Sequence, residues 1–293
     1  MNLYFVGPNF FSDILLPLSL AAITLALGLS IEFKELKNIF VQPKAIITGL
    51  LLQLILLPGI AFLIADLTNL DPIYKVGLVI IAACPGGATS NLLTFMLGGN
   101  VALSVSLTAI NSLVSLVTTP FTVSLGLLVF QGEGTKIHLP FGNTVLNMFL
   151  IVLVPTIAGI TMRRFIRDFA IKLEKPLRYI LPVLLFVVYA GVLFIDKGAE
   201  DLHILEYISL YPAPMILNAA AMLSGYYIAK SVHLKKKNQF TTSIEVGLHN
   251  STLAIFIAAT IIGNQQMAVI PIVYGSFSFF TTWLIAYLIK RYG

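Results

Sequence analysis

The sequence predicts an all-α polytopic membrane protein of about nine transmembrane helices, built as inverted repeats with two crossing discontinuous helices. Three observations predict it. Hydrophobic residues make up 58% of the chain and charged residues only 11%, where a soluble domain of this length carries about a quarter charged residues. The apolar residues fall in runs near the roughly 20 residues that a spanning helix needs. Two of those runs are interrupted in mid-span by glycine and polar residues.

Taken in order, the spans read as 12–31, 43–66, 73–97, 101–130, 142–165, 177–195, 205–230, 239–262 and 266–289. The linkers test that division. Lys34, Lys37 and Lys44 lie between the first two spans. Arg163, Arg164, Arg167, Lys172, Lys175 and Arg178 follow the fifth. Lys230, Lys235, Lys236 and Lys237 follow the seventh, and Lys290 and Arg291 close the chain. With nine spans all fifteen fall on one side, and only Lys75, Lys136 and Lys197 fall on the other. The positive-inside rule then puts the N-terminus outside and the C-terminus in the cytoplasm of an inner, plasma membrane. This asymmetry accounts for the net charge of +5 without a nucleic-acid partner. The single cysteine, Cys84, allows no intrachain disulfide. The first thirteen residues, without Lys or Arg, read as an uncleaved start.

Inside these spans one residue is out of place. Glu245 lies in TTSIEVGLHNST, residues 241–252, while the other twelve acidic residues sit in loops or near span ends. An ionised side chain at the bilayer centre costs at least ~2.5–3.5 kcal/mol. Glu245 therefore faces a cavity, binds a cation or is protonated. A buried structural acid is the plainer alternative, but no Lys or Arg lies inside a span to pair with it. On an unbroken helix Glu245, Leu248, His249 and Thr252 would share a face. Val246-Gly247 beside the acid weakens that helix, and unwound carbonyls there would be hard-cation ligands.

The third span carries the second interruption, Cys84-Pro-Gly-Gly-Ala-Thr-Ser-Asn91. Pro85 removes a backbone donor and clashes with the turn before it. A kinked helix is the simpler reading of one proline, but Pro-Gly-Gly followed by Thr89, Ser90 and Asn91 reads as a true break. Such a break is tolerated only when enclosed by protein or lining a watery cavity. Both interruptions lead to an asparagine, Asn91 or Asn250, then an apolar half-span and a Gly-Asn turn. The two spans enter from opposite sides, as inverted repeats require. The halves are 1–130 and 142–293. The fourth span adds Ser104, Thr108, Asn111, Ser112 and Ser115. The second adds a lone Gln53, whose amide needs a partner.

These residues resemble the bile acid:sodium symporter family. The motifs that carry the resemblance are 84–91, Gly99-Asn-Val-Ala-Leu-Ser-Val105 and Ile244-Glu-Val-Gly-Leu-His-Asn-Ser251, and it runs over nearly the whole chain. It implies a core of spans two to four and seven to nine, a panel of spans one, five and six, and alternating access by their relative motion. It implies sodium-coupled import of an organic anion, bile-acid-like or a small carboxylate. One sodium ion would use Ser90, Asn91, Ser104, Thr108 and Glu245. A second would use Gln53 and Glu245, the carbonyls of Val246 and Leu248, and the position held by His249, where the family usually has glutamine. Imidazole is a poor sodium ligand but titrates near neutral pH. Two sodium ions with a rearranged second site, one sodium with a proton, and one sodium alone stay open; a weakened second site is favoured. The substrate would lie near Thr89, Asn91, His249 and Asn250, where helix N-termini favour a carboxylate. Both halves of the site are in one chain, so a monomer in lipid suffices. A channel does not explain two breaks of opposite direction. An enzyme lacks candidates: of four histidines only His249 lies deep, and no phosphate-binding GxxxxGK[ST] loop is present.

Overall fold

The computed structural model describes residues 16–30, 40–132, 154–174, 176–177, 180 and 208–292. Nearly all of the sixth predicted span, the first part of the fifth (142–153), and Lys34, Lys37, Lys136, His138, Lys175, Arg178, Lys197 and His203 lie outside the described residues. In chain order the helices are α1 Leu16–Ser30, α2 Pro43–Leu67, α3 Pro72–Ala83, α4 Ala88–Leu97, α5 Val101–Gln131, α6 Val154–Phe165, α7 Pro212–Ser231, α8 Lys236–Gly247, α9 Ser251–Ile261 and α10 Val269–Tyr292. The one β feature among the described residues is an isolated antiparallel bridge between Gly86 and His249.

Among the described residues α2, α5 and α10 are each long and apolar enough to cross a membrane. The predicted third and eighth spans are each two helices instead. With 12 residues in α3 and 10 in α4, neither reaches across ~30 Å of hydrocarbon at ~1.5 Å per residue, but the pair does. Two helices contain a π-turn, Leu52–Leu56 in α2 and Ile257–Ile261 in α9. The first carries Gln53.

The chain divides into two compact units, Met1–Glu32 with Leu146–Ile204, and Phe33–Val145 with Leu205–Gly293. In the first, α1 packs on α6. A Cβ on Gly28 would lie 2.2 Å from the Thr156 carbonyl oxygen, and one on Gly159 would lie 2.3 Å from that of Leu25. The two helices meet backbone to backbone there. In lipid, where apolar side chains gain little by leaving the tails, such close packing is what holds helices together.

In the second unit α7 packs on α8, α3 on α5, and α10 on α7 and α9. One buried cluster joins Ala45 and Ile46 of α2 to Leu103, Leu107 and Ile110 of α5 and Ala229 of α7. Another joins Leu93 of α4 to Met222 of α7, Phe240 and Ile244 of α8, and Ala286 of α10. The outward faces are apolar as well: Leu51, Ile55 and Leu63 on α2, Phe121, Leu125 and Leu128 on α5, and Phe280, Leu284 and Leu288 on α10 are exposed. Apolar surface on this scale fits hydrocarbon rather than water, and the chain is an all-α integral membrane protein.

Close packing in the first unit gives a stability prediction. Gly28→Ala should destabilise the detergent-solubilised protein by about 1–3 kcal/mol, because backbone atoms cannot step aside. Gly59→Ala, where nothing lies within 4 Å of the new Cβ, should leave thermal unfolding unchanged or raise its midpoint slightly.

Candidate functional site

The two breaks meet. Helix α3 stops at Ala83 because Pro85 disfavours helical geometry at the residue before it, and Cys84 is extended (φ −77°, ψ 146°). Helix α8 stops at Gly247 with no proline to stop it, and Leu248 is extended (φ −114°, ψ 114°). The two extended pieces pair through the Gly86–His249 bridge, and the Asn250 amide donates to the Pro85 carbonyl at 2.9 Å.

Buried carbonyls released by a break need donors. Thr119 of α5 donates to the Ala83 carbonyl at 2.7 Å. The Gln53 Nε2 donates to the Glu245 carbonyl at 2.7 Å. Asn218 of α7 and the Tyr274 hydroxyl of α10 both donate to the Gly247 carbonyl. His249 stands between the breaks, its Nδ1 3.1 Å from the Cys84 carbonyl and its Nε2 2.8 Å from the Val246 carbonyl.

The helices that resume carry different caps. Asn250 caps α9 by accepting from the Leu253 amide at 3.0 Å. The N-cap of α4 is Gly87, which supplies no side-chain acceptor. Asn91 sits inside α4 while Asn250 lies outside α9, so the two asparagines that align in sequence do different work. The helix ends at Gly247, at the Val246-Gly247 pair expected to weaken it, so the face that an unbroken helix would have given Glu245, Leu248, His249 and Thr252 is not formed.

Glu245 is fully buried and turned toward α5. The Ser104 hydroxyl donates to Oε1, and that of Thr108 lies 2.9 Å from Oε2. Both hydroxyls also face Asn91 Oδ1, at 2.8 and 3.3 Å. Ser90, beside the carboxylate, donates to the Gly87 carbonyl at 2.7 Å. Ser90, Ser104 and Thr108 thus offer three protons to four acceptor oxygens, the Gly87 carbonyl, Asn91 Oδ1 and both carboxylate oxygens. No Lys or Arg is bonded to any of them among the described residues. The donor set is short of protons and rich in oxygen, which fits a hard monovalent cation.

A second group of oxygens lies beside it. A Cβ on Gly86 would lie 3.2 Å from Glu245 Oε2, 3.5 Å from the Leu248 carbonyl and 3.6 Å from Gln53 Nε2. The Gln53 Oε1 is buried without a partner. The Val246 carbonyl, by contrast, faces His249 Nε2 at 2.8 Å. The five residues of the first predicted ion site converge, and those of the second gather with one carbonyl already engaged.

Of the predicted substrate residues, Thr89 is exposed on the first turn of α4, Asn91 is turned to the acid, His249 is buried between carbonyls, and Asn250 is partly exposed. In the fourth span Ser112 and Ser115 bond back to carbonyls of their own helix, of Thr108 and Ser112. The Asn111 Oδ1 has no partner. Asn218, Tyr274 and Thr119 were missed by the sequence reading. A lone asparagine in the apolar run MILNAAAML was the available signal for the first.

The model of the sodium bile acid symporter family matches residues 17–204. The chain belongs to this family, one of symporters rather than enzymes. It is 29% identical over 245 residues to the probable sodium/metabolite cotransporter BASS1, chloroplastic, of Oryza sativa subsp. japonica, covering 84% of this chain and 58% of that protein. It is 28% identical over 239 residues to the uncharacterized sodium-dependent transporter YocS of Bacillus subtilis (82% and 72% covered). A human sodium-dependent organic anion transporter is 27% identical over 271 residues (91% and 70% covered). The chain therefore spans less than two thirds of the plant relatives' length.

The cap at the second break can be checked directly. Asn250→Ala should cost about 1 kcal/mol of stability through loss of the bond to Leu253 N, read as a lower midpoint of thermal unfolding in detergent.

Proposed function

We propose that this member of the sodium bile acid symporter family couples the import of an organic anion to sodium, by alternating access. The observation that carries the reading is the buried Glu245 carboxylate, whose three neighbouring hydroxyls, Ser90, Ser104 and Thr108, are shared with Asn91 and the Gly87 carbonyl and cannot satisfy all four oxygens. A sodium ion among Ser90, Asn91, Ser104, Thr108 and Glu245 would take up those lone pairs and offset the charge. Sodium is a co-substrate of this cycle, arriving from outside and leaving to the cytoplasm.

A second ion site at Gln53, Glu245, Val246, Leu248 and His249 is weakened in this reading. The orphan Gln53 Oε1 favours a cation there, but His249 occupies the Val246 carbonyl and brings a ring nitrogen where an amide oxygen would serve better. One sodium ion per cycle follows.

The organic anion would place its carboxylate at the start of α4, whose first amides have no side-chain cap, beside Thr89 and near Asn91, His249 and Asn250. Helix N-termini attract anions through those amides and the helix dipole. The names of the plant and human relatives, a metabolite cotransporter and an organic anion transporter, support an organic substrate. The division of the chain into two compact units supports a moving panel, spans one, five and six, and a core, spans two to four and seven to nine. The basic loops orient the N-terminus outward in a plasma membrane, and a single chain in lipid holds the whole site.

The test is uptake of a labelled organic-acid panel into proteoliposomes under a sodium gradient. Wild type should show saturable sodium-driven import with a Hill coefficient of about one for sodium. Glu245→Ala should abolish the sodium dependence; coupled import surviving in that variant would end the proposal. His249→Gln should raise the Hill coefficient toward two. A wild-type coefficient near two at every pH would reject the weakened second site.

A further inference from the structure

The last carbonyl of α8 is held more tightly than chain termination requires. A helix-end carbonyl needs one donor; Gly247 has two, from two different helices. The Tyr274 hydroxyl of α10 donates to it, and Asn218 Nδ2 of α7 donates at 2.7 Å. Asn218 is at the centre of a closed network. Its Nδ2 also lies 3.0 Å from Thr282 Oγ1 and 3.2 Å from the Tyr274 oxygen, and its Oδ1 accepts from Thr281 Oγ1 at 2.8 Å. Asn218 is 1% exposed, and Tyr274 and Thr282 are fully buried. The tyrosine ring is itself packed, 6.1 Å from His249 and 5.6 Å from Phe277 between centroids.

Two donors on one carbonyl use both of its lone pairs and fix the direction of the peptide that joins Gly247 to Leu248. That peptide lies between the Val246 and Leu248 carbonyls and two residues beyond Glu245. Its other edge is held by the Leu248 amide, which donates to the Ile244 carbonyl at 3.0 Å, so the plane is fixed on both sides. With it is fixed the start of the extended segment whose next carbonyl, that of Leu248, lies 3.5 Å from where a Cβ on Gly86 would stand, with Glu245 Oε2 3.2 Å from the same point. We propose that Asn218 and Tyr274 are positioning residues for ion binding: they touch no ion, and they set the second break in the one orientation that faces its oxygens toward the acid. The proposal rests on the sodium reading above.

The experiment uses purified full-length protein in detergent. Sodium chloride is titrated against choline chloride at constant ionic strength, with the thermal unfolding midpoint as the signal. Tyr274→Phe keeps the packed ring and removes one oxygen. Asn218→Ser keeps a polar group too short to reach the network. Each should raise the sodium half-saturation concentration roughly tenfold, the usual scale for one lost buried hydrogen bond. The midpoint in choline should fall far less than a purely structural role demands. Thr281→Val, which frees only the far side of Asn218, should raise it about threefold and decides the matter if Asn218→Ser does not fold. Wild-type sodium affinity in Tyr274→Phe together with Thr281→Val overturns the proposal, as does a loss confined to the midpoint in choline. Glu245→Gln is run alongside. A sodium response retained there sinks the ion-site reading itself. A response lost there, with Tyr274→Phe unchanged, sinks only the positioning role.

Discussion

Carbonyl oxygens released by two broken helices, at a depth where water is scarce, impose the constraint from which the centre of this protein follows. Each must find a donor or a cation. The structure answers mostly with side chains. From neighbouring helices come Thr119 for Ala83, Gln53 for Glu245, and Asn218 with Tyr274 for Gly247. His249, from the second break itself, is set between the Cys84 and Val246 carbonyls, with one N–H for the pair in its neutral form. One answer is backbone, Asn250 to Pro85. The breaks are therefore interlocked, since His249 and Asn250 of one satisfy residues of the other. Neither break is a local feature that could be straightened alone.

Against that background the carboxylate stands out as the group with too few donors. The hydroxyls of Ser104 and Thr108 are shared with Asn91, so the deficit is built into the contact between α4, α5 and α8 rather than into one residue. This links packing to ion chemistry. The same helix contacts that bury Glu245 also surround it with shared hydroxyls and oxygen atoms, the arrangement on which the proposed sodium site rests.

Much of this was legible from the sequence, for a physical reason. Spans show because lipid demands apolar length, and the first break shows because Pro85-Gly86-Gly87 ends a helix by covalent geometry. Glu245 shows because it is the one acid inside an apolar run, where an ionised side chain is costly. The second break was harder to place. Glycine weakens α8 at Gly247 but no proline stops it there; the carbonyls of its last turn are met by Gln53, Asn218 and Tyr274, which are distant in sequence. The roles of Asn91 and Asn250 diverged for a similar reason, because capping depends on where each helix restarts. Asn218 and Tyr274 left only the faint trace of polar atoms in apolar runs.

The π-turn in α2 has a consequence for how that helix tolerates change. A π-turn holds one residue more than the α-turn it replaces, and here it spans Leu52–Leu56 and carries the buried Gln53, with Leu51 and Ile55 exposed to lipid on either side. Because the segment already accommodates that extra residue, deleting one position there would collapse it to an ordinary α-turn and keep the faces of the rest of α2. The same deletion in the regular part of α2 would swing everything beyond it by about a quarter of a revolution, trading inward and outward surfaces.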